Sequence, residues 1–101
     1  MGSVIRFPSV IVSFSDAKTA LLYAGARMPR FANIERVATR KLEMLDRAHE
    51  LRDLASPPQN RLEALKGDRR GQHSIRINDQ WRLCFRWTPA GPSNVAIGDY
   101  H

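Results

Sequence analysis

The sequence predicts a single α+β domain in which helices pack on one face of a twisted, mostly antiparallel sheet. Three observations predict this class. A stretch with helical periodicity follows Asn33, two stretches of alternating apolar and polar residues lie between His73 and Trp87, and loops rich in proline and glycine separate such stretches. A chain of 101 residues with 43% apolar residues can build one core and is too short for two.

The first elements precede the long helix. β-Branched and aromatic residues at positions 10–14 predict a first strand. Ser15 or Asp16 can cap a short helix over residues 17–24, which Gly25 is placed to end. The first eight residues carry no periodic signal. We therefore draw the domain over residues 12–101 and treat residues 1–11 as an N-terminal extension that we expect to be disordered.

The long helix is the clearest element of the sequence. It is predicted to run from about Asn33 to residue 50, with a charged outer face that is expected to be solvated. Its apolar positions recur at a spacing of three and four: Ile34, Val37, Ala38, Leu42, Leu45 and Ala48. Pro57 and Pro58 then require a loop. The later strands are predicted at residues 61–65, 73–77, 81–87 and 95–101, with a basic turn at residues 66–71.

The two central strands show the strongest alternation. Their apolar residues fall on odd positions and their arginines on even positions, and a three-residue loop at 78–80 lets both apolar sets share one face. Arg76 then lies opposite Arg82 on the other face. Because like charges repel across a ladder, this pair needs a screening acid or an anionic ligand. The alternation alone favours an ordinary solvated charged face.

Positive charge is concentrated in residues 60–87. This stretch holds seven of the sixteen basic residues and three of the ten acidic ones, so it contributes +4 of the net charge of +6. Such a field predicts a polyanionic partner, such as nucleic acid. The longest aliphatic run, residues 10–12, is too short to span a bilayer, and no membrane partner is expected.

The cysteine and histidine content narrows the chemistry. Cys84 is the only cysteine, which excludes an intrachain disulfide and is typical of a protein in the reducing cytoplasm. Its place on a strand predicts a packing residue rather than a nucleophile. The three histidines have no ligand-like spacing, so the sequence predicts neither a metal nor another cofactor.

The stretch RLEALKGDRRGQHSIRINDQWRLCFRW and the terminal Asp99-Tyr100-His101 together resemble the HigB toxins of the RelE superfamily. The resemblance covers residues 12–101 and is densest from residue 60, where LKGD, SIRIN, WR and DYH follow the family's order. It implies a RelE-like domain that acts as the toxin of a type II toxin–antitoxin system. In such a system the toxin is a ribosome-dependent endoribonuclease that cuts messenger RNA in the ribosomal A site and inhibits translation.

The resemblance also implies the partners of the protein. They are a HigA-type antitoxin with a helix-turn-helix, the ribosome with its ribosomal RNA, and messenger RNA. A toxin–antitoxin hetero-oligomer would bind operator DNA through the antitoxin.

The candidate site residues follow from this resemblance. RNA can be cut without a metal, because its 2′-hydroxyl attacks the adjacent phosphorus when a base, an acid and cations are at hand. The family pattern assigns the cations to Lys66, Arg76 and Arg82, with Arg82 as the stabiliser of the transition state because a guanidinium can grip two phosphate oxygens. Two further arginines are expected to bind RNA: Arg69 and Arg70.

The family also uses the terminal tail, here Asp99, Tyr100 and His101, in its active site. A histidine has an ordinary pKa of about 6.5, which suits proton transfer at neutral pH, and the terminal carboxylate of His101 favours the protonated form, an acid. Strict alternation places Asp99 and His101 on the apolar face, away from the arginines, unless Gly98 marks a bulge. Without the resemblance, His101 is more simply a frayed chain end.

Glu63 stands in RLEALKG where many HigB proteins have a histidine. It is a candidate base, since a carboxylate among cations is stabilised in its charged form. It could equally be a salt-bridge partner of Arg61 or Arg82. The change keeps an alternative function open, a catalytically weakened module that binds RNA or the antitoxin. A DNA-binding repressor is disfavoured, because the basic residues lie on strands and no helix-turn-helix pattern is seen.

Overall fold

The computed structural model describes residues 10–99 and confirms the predicted α+β class, with two α-helices and a four-stranded antiparallel sheet. The helices are α1 (Ala17–Tyr23) and α2 (Glu35–Arg47). The strands are β1 (Glu63–Ala64), β2 (Gln72–Arg76), β3 (Trp81–Thr88) and β4 (Gly91–Asp99). Short 3-10 turns lie at Pro29–Ile34, Leu51–Ala55, Pro58–Asn60 and Gly67–Arg69. Within residues 10–99, no helix combines the length and the apolar character needed to cross a membrane.

Helix α1 starts at the predicted cap. The Asp16 carboxylate accepts the backbone N–H of Lys18 and of Thr19, which satisfies two donors at the open end of the helix. The buried Thr19 hydroxyl donates to Asp16 at 2.5 Å and accepts the Ile97 N–H at 3.0 Å. The cap of α1 is therefore also its connection to β4. The predicted stop is confirmed, because Gly25 follows the helix with a φ of 105°.

The segment at residues 10–14 does not form the predicted strand. Phe14 makes one isolated parallel bridge to Val95, and the Ile11 N–H donates at 3.0 Å to the carboxylate of Asp46 on α2. Backbone hydrogen bonds do join the segment to β4, since Val12 donates to the Pro92 carbonyl at 2.7 Å and Ser15 donates to the Val95 carbonyl at 3.0 Å. The ladder is interrupted between them, where the left-handed Asn94 donates its N–H to the Ser13 hydroxyl at 2.9 Å instead of to a backbone carbonyl. The predicted strand is therefore reduced to one bridge.

Helix α2 begins at Glu35 rather than Asn33 and ends at Arg47 rather than near residue 50. The preceding 3-10 turn is irregular at Phe31, which has φ −111° and ψ 17°. Phe31 is fully buried and packs edge-on against Trp81, with ring centroids 5.6 Å apart. This packing takes the chain off the α-helical path, which periodicity cannot reveal.

The hairpin of β2 and β3 has the predicted register. Arg76 pairs directly with Arg82, so the three-residue loop and the facing arginines are confirmed. The loop is closed by its own side chain, since Oδ1 of Asn78 accepts the N–H of Gln80 and of Trp81, both at 2.8 Å. The neighbouring strand β1 has only two residues, fewer than the predicted five.

Strand β4 is irregular, but not at Gly98. Gly98 pairs regularly with Arg82, whereas two residues of β4, Asn94 and Val95, stand against a single residue of β3. Asn94 has a φ of 53°, a conformation that asparagine tolerates better than most residues. No bulge at Gly98 re-aims the chain, and Asp99 keeps the parity of Val95.

The odd-numbered strand residues and the apolar faces of the helices form one core. Its buried members include Leu22, Phe31, Ile34, Ala38, Leu42, Leu45, Leu54, Ile75, Ile77, Trp81, Leu83, Phe85, Val95 and Ile97. Three even-numbered strand residues are also buried: Ser74, Cys84 and Pro92. Arg82 hydrogen-bonds Ser74, and Arg69 hydrogen-bonds Cys84. Burial raises the pKa of the Cys84 thiol, in agreement with the predicted packing role.

Candidate functional site

A cavity of about 870 Å³ opens on the polar face of the sheet, between the hairpin loop and the chain that leads into β1. It contains three arginines and two acids, so its lining is cationic overall. The lining residues are Pro58, Gln59, Arg61, Glu63, Arg76, Asn78, Asp79 and Arg82. A cationic and open cavity fits an extended anionic chain better than an enclosed small molecule.

Arg82 is the most firmly held cation of this cavity. Its Nε donates to Oγ of Ser74 at 2.7 Å, and its Nη2 donates to the carbonyls of Arg61 at 2.6 Å and of Ser74 at 3.3 Å. Only 13% of its side chain is exposed. Because these acceptors are uncharged, the guanidinium is oriented while its charge stays available to a ligand.

The carbonyl of Arg61 depends on an uncommon backbone conformation. Arg61 has φ 46° and ψ 57°, in the left-handed region that few residues other than glycine adopt. Its N–H closes the preceding 3-10 turn by donating to the carbonyl of Pro58 at 3.0 Å. This kink sits where the sequence alone predicted an ordinary strand.

Asn60 anchors the turn that precedes Arg61. It is fully buried, its Oδ1 accepts from Nζ of Lys41 at 2.6 Å, and its Nδ2 donates to the carbonyls of Leu54 at 3.0 Å and of Ser56 at 3.3 Å. A buried amide satisfied on both ends holds its segment in one conformation. The sequence analysis missed this residue. An asparagine between a proline loop and a strand was the signal that could have found it.

Lys41 brings positive charge from α2 toward the same region. Burial lowers the pKa of its ammonium, and the charges of Arg40 and Arg76 lower it further. Lys41 lies on α2 between the buried Ala38 and Leu42, and the end of its side chain reaches Asn60. The field of the cavity therefore continues beyond the residues that line it.

Arg76 has the screening acid that the sequence analysis required. Its Nη2 donates to Asp79, whose side chain is 99% exposed, and Arg76 itself is one-third exposed. Exposed pairs of this kind contribute about 0–1 kcal/mol. An anionic ligand can therefore replace Asp79 at little cost.

Glu63 lies on the cavity wall, with its backbone paired to Ser74 and its Oε1 3.9 Å from Nη2 of Arg82. The separation is at the outer limit of an ion pair, and 58% of the Glu63 side chain is exposed. Of the two salt-bridge partners considered from the sequence, the described ion pair is with Arg82. The carboxylate remains open to a ligand in the cavity.

Three of the predicted cations lie outside the cavity lining. Lys66 and Arg70 are exposed and flank the 3-10 turn Gly67–Arg69. Arg69 is half-buried, with its Nη2 3.3 Å from Oε1 of Gln72. These residues continue the basic surface along the sheet rather than joining Arg82.

The tail residues are only partly described. Asp99 is exposed, accepts from the Gln80 amide at 3.0 Å, and pairs with Trp81 across the ladder, so its side chain lies on the face opposite to Arg82. It does not line the cavity. Tyr100 and His101 lie outside the described residues, and their assigned roles stay predictions.

Among residues 10–99, no group of three or more histidine, cysteine, aspartate or glutamate side chains is placed to hold a metal ion. What the cavity offers chemically is charge stabilisation by arginines and proton acceptance by a carboxylate.

Comparison with known proteins identifies the family. The family of RelE-like toxins of the type II toxin–antitoxin system HigB matches residues 11–101. Toxin HigB-1 of Vibrio cholerae is 45% identical over 91 residues, which cover 88% of this chain and 92% of that protein. An uncharacterized protein of Haemophilus influenzae is 39% identical over 66 residues, 65% of each chain. The chain belongs to the HigB-like family and is a type II toxin, for which an antitoxin is the implied partner.

Proposed function

We propose that this toxin is a ribosome-dependent endoribonuclease that cuts messenger RNA and thereby inhibits translation. The observation that carries the proposal is the Arg82 guanidinium, which uncharged acceptors orient inside a cationic cavity. Enzymes stabilise developing negative charge best with donors that are fixed before the reaction. Arg82 meets this requirement, and loss of such a donor typically costs ~10²- to 10³-fold in turnover.

The cleavage would proceed by attack of the RNA 2′-oxygen on the adjacent phosphorus. The new bond joins phosphorus to the 2′-oxygen, the bond to the 5′-oxygen breaks, and a 2′,3′-cyclic phosphate results. Glu63 accepts the proton of the 2′-hydroxyl, and His101 supplies a proton to the leaving 5′-oxygen. Arg82 stabilises the charge on the pentacoordinate phosphorus, and Arg76 exchanges Asp79 for a phosphate oxygen.

The remaining assigned residues have supporting roles in the proposal. Asp99 and Tyr100 position His101. The cations that bind RNA are Lys66, Arg69, Arg70, Arg76 and Arg82. This chemistry requires neither a metal nor another cofactor.

The proposal extends to the partners and the fold. A HigA-type antitoxin with a helix-turn-helix would neutralise the toxin, and the complex would bind operator DNA through the antitoxin. The toxin would act in the cytoplasm, at the ribosomal A site, where ribosomal RNA and messenger RNA supply the polyanion that the net charge of +6 favours. The RelE-like arrangement, with both helices on one face of the sheet, would leave the polar face open to that site.

The test is cleavage in a translating extract, with the toxin purified away from its antitoxin and the new RNA ends mapped. We expect cuts within translated codons and none in RNA without ribosomes. The alternative, a weakened binding module, rests on Glu63 in place of the family's histidine. It predicts ribosome binding with intact messages, and that result would overturn the proposed cleavage.

A further inference from the structure

We propose that Arg69 and Arg86, together with Gly71, form a second RNA subsite on the polar face of β3, next to the cavity. This subsite would hold the phosphates that neighbour the one bound at Arg82. The inference rests on the proposed function, because a second phosphate site has meaning only if Arg82 binds RNA. The RNA would run from the cavity along β3 toward the turn before β2.

Arg82, Arg69 and Arg86 form a row of arginines, and their positions along β3 determine its spacing. Arg82, Cys84 and Arg86 alternate with core residues and therefore share the polar face. Arg86 lies four residues from Arg82, or ~13 Å along a strand. The Arg69 guanidinium hydrogen-bonds the Cys84 thiol, which places it about halfway between them. The positions of β3 at which these three side chains lie are thus spaced at intervals of roughly 6–7 Å, comparable to the separation of phosphates in an extended single strand.

Two uncharged groups contact the Arg69 guanidinium and help to orient it. Oε1 of Gln72 accepts from its Nη2 at 3.3 Å, and the Cys84 thiol is kept neutral by a pKa that burial raises. Gln72 in turn pairs with Arg86 across the ladder. The backbone pairing therefore brings the two arginines of the subsite to one end of the hairpin.

The Arg86 guanidinium lies against Gly71. A Cβ atom on Gly71 would lie 2.6 Å from Nη1 of Arg86, so an alanine at this position would displace the end of the flexible Arg86 side chain. Arg86 itself is exposed. The same turn contains a second glycine with positive φ, Gly67, where a Cβ would meet nothing within 4 Å. The pair supplies a matched control for backbone strain.

Net charge favours RNA as the occupant. The turn at residues 66–71 carries Lys66, Arg69 and Arg70 against Asp68 alone, and Arg86 adds a further cation. Single-stranded RNA is the polyanion that already enters the neighbouring cavity under the proposed function. No aromatic side chain is needed for such a site, because contacts to phosphates give affinity without reading the base.

The experiment measures binding of a short single-stranded RNA that has a 2′-O-methyl group on each sugar and so cannot be cut. Affinity is recorded against salt concentration for the parent, Arg86→Gln, Gly71→Ala, Gly67→Ala and Arg52→Gln. Each phosphate contact to a single strand contributes about 0.7 to the slope of log affinity against log salt. We expect Arg86→Gln and Gly71→Ala each to lower the slope by about that amount and to weaken binding several-fold.

Two control variants distinguish loss of the subsite from a general loss of positive charge and from backbone strain. Arg52→Gln removes an exposed arginine elsewhere, and Gly67→Ala introduces the same kind of strain without the clash. Both should leave the slope at the parent value. If Gly71→Ala does not fold, Arg86→Gln decides alone, with Arg86→Lys expected to keep the slope. An unchanged slope in Arg86→Gln, or an equal fall in Arg52→Gln, would overturn the inference.

Oligonucleotide length gives an independent readout. The loss in Arg86→Gln should appear with RNA that has three phosphates and vanish with RNA that has one; equal losses with both would contradict the row. The outcome is also separable from cleavage. If the parent protein does not cut messages but Arg86→Gln still lowers the salt slope, the proposed cleavage is wrong and the subsite stands. If the parent cuts messages but Arg86→Gln binds RNA as the parent does, the subsite is wrong and the proposed cleavage stands.

Discussion

Arg76 and Arg82 are the same residue type, directly paired across one ladder and lining one cavity, yet the structure holds them in different ways. Arg82 is oriented by a buried serine and a backbone carbonyl, with 13% of its side chain exposed. Arg76 is one-third exposed and paired with the fully exposed Asp79. One cation is fixed by the fold, and the other is held by an exchangeable loop residue.

The difference separates two tasks that a single arginine cannot perform equally well. A guanidinium fixed by uncharged acceptors suits charge that develops only in the transition state, because no reorganisation is needed at that moment. A guanidinium paired with an exposed acid suits binding, because the ligand displaces the acid at little cost. Substitutions on the Arg82 side should therefore affect turnover, and substitutions on the Arg76 side should affect affinity.

The largest effect is expected on the Arg82 side. Arg82→Ala should lower the single-turnover cleavage rate ~10²- to 10³-fold, whereas Arg76→Ala should mainly raise the RNA concentration needed for half-maximal rate. Arg82→Lys should restore little, because an ammonium cannot reproduce the planar fork of donors. Rates in a translating extract provide the measurement. Cleavage by Arg82→Ala at the parent rate would remove this residue from the mechanism.

Glu63 comes next in expected size. Glu63→Gln keeps the shape but cannot accept the 2′-proton, so turnover should fall about 10²-fold. The free energy of unfolding should change by less than about 1 kcal/mol, because the Glu63 side chain is 58% exposed and lies 3.9 Å from Arg82. Glu63→His, which restores the family's residue, should retain cleavage. If Glu63→Gln cuts normally at every pH tested, Glu63 is only an ion-pair partner.

Asn60 tests whether the fixed position of Arg82 depends on the turn beneath it. Asn60→Ala leaves a partly buried ammonium and two carbonyls without this partner, so the free energy of unfolding should fall by about 1–3 kcal/mol. Turnover of the folded fraction should fall about tenfold, or 1.4 kcal/mol, with the RNA affinity nearly unchanged. The exposed Asn33→Ala is the matched control. A variant that is less stable but fully active would make Asn60 purely structural.

Asp79 should produce a smaller effect on the other side of the comparison. Asp79→Asn releases Arg76 from its acid, so RNA should bind a few-fold more tightly at low salt while turnover changes little. The gain should disappear at high salt, since the competing interactions are exposed. Weaker binding in this variant would show that Asp79 assists the ligand rather than competing with it.

The smallest expected effect concerns Lys41, whose charge lies near Arg76. Its pKa in the folded protein is lowered from 10.5 by burial. Between that lowered value and 10.5, the unfolded chain binds more protons than the folded one, so the free energy of unfolding should rise with pH in this window. Urea titrations of the parent and Lys41→Met should differ by this alkaline rise. Parallel curves would contradict the buried placement of the ammonium.

The register of the hairpin could be predicted from the sequence because its cause is local. Side chains alternate between the two faces of a strand, and a three-residue loop pairs odd-numbered residues with odd-numbered ones and even with even. The pairing of Arg76 with Arg82 therefore follows from the residue numbers alone. The anchoring of Arg82 could not be predicted. It depends on the left-handed backbone of Arg61 and on Asn60, whose partners are up to nineteen residues away in the chain.

The errors in the elements have the same origin. Residues 10–14 have the composition of a strand, but their ladder with β4 is interrupted where the left-handed Asn94 donates to the Ser13 hydroxyl. The start of α2 is displaced because Phe31 packs against Trp81, a contact across fifty positions of the chain. The local patterns indicated the helix or strand propensity of each segment correctly. Tertiary contacts determined where the regular helices and strands begin and end.

The acceptor that orients Arg82 at position 61 is a main-chain carbonyl, and this has a consequence for how the family can diversify. No substitution at that position deletes the oxygen, so the residue can vary among types that tolerate a left-handed backbone, such as glycine and asparagine, while the anchor is inherited unchanged. The charge of the cavity rim can therefore drift from one toxin to the next independently of the geometry beneath it. Members of the family could therefore differ in how strongly they attract RNA while the orientation of this arginine stays the same.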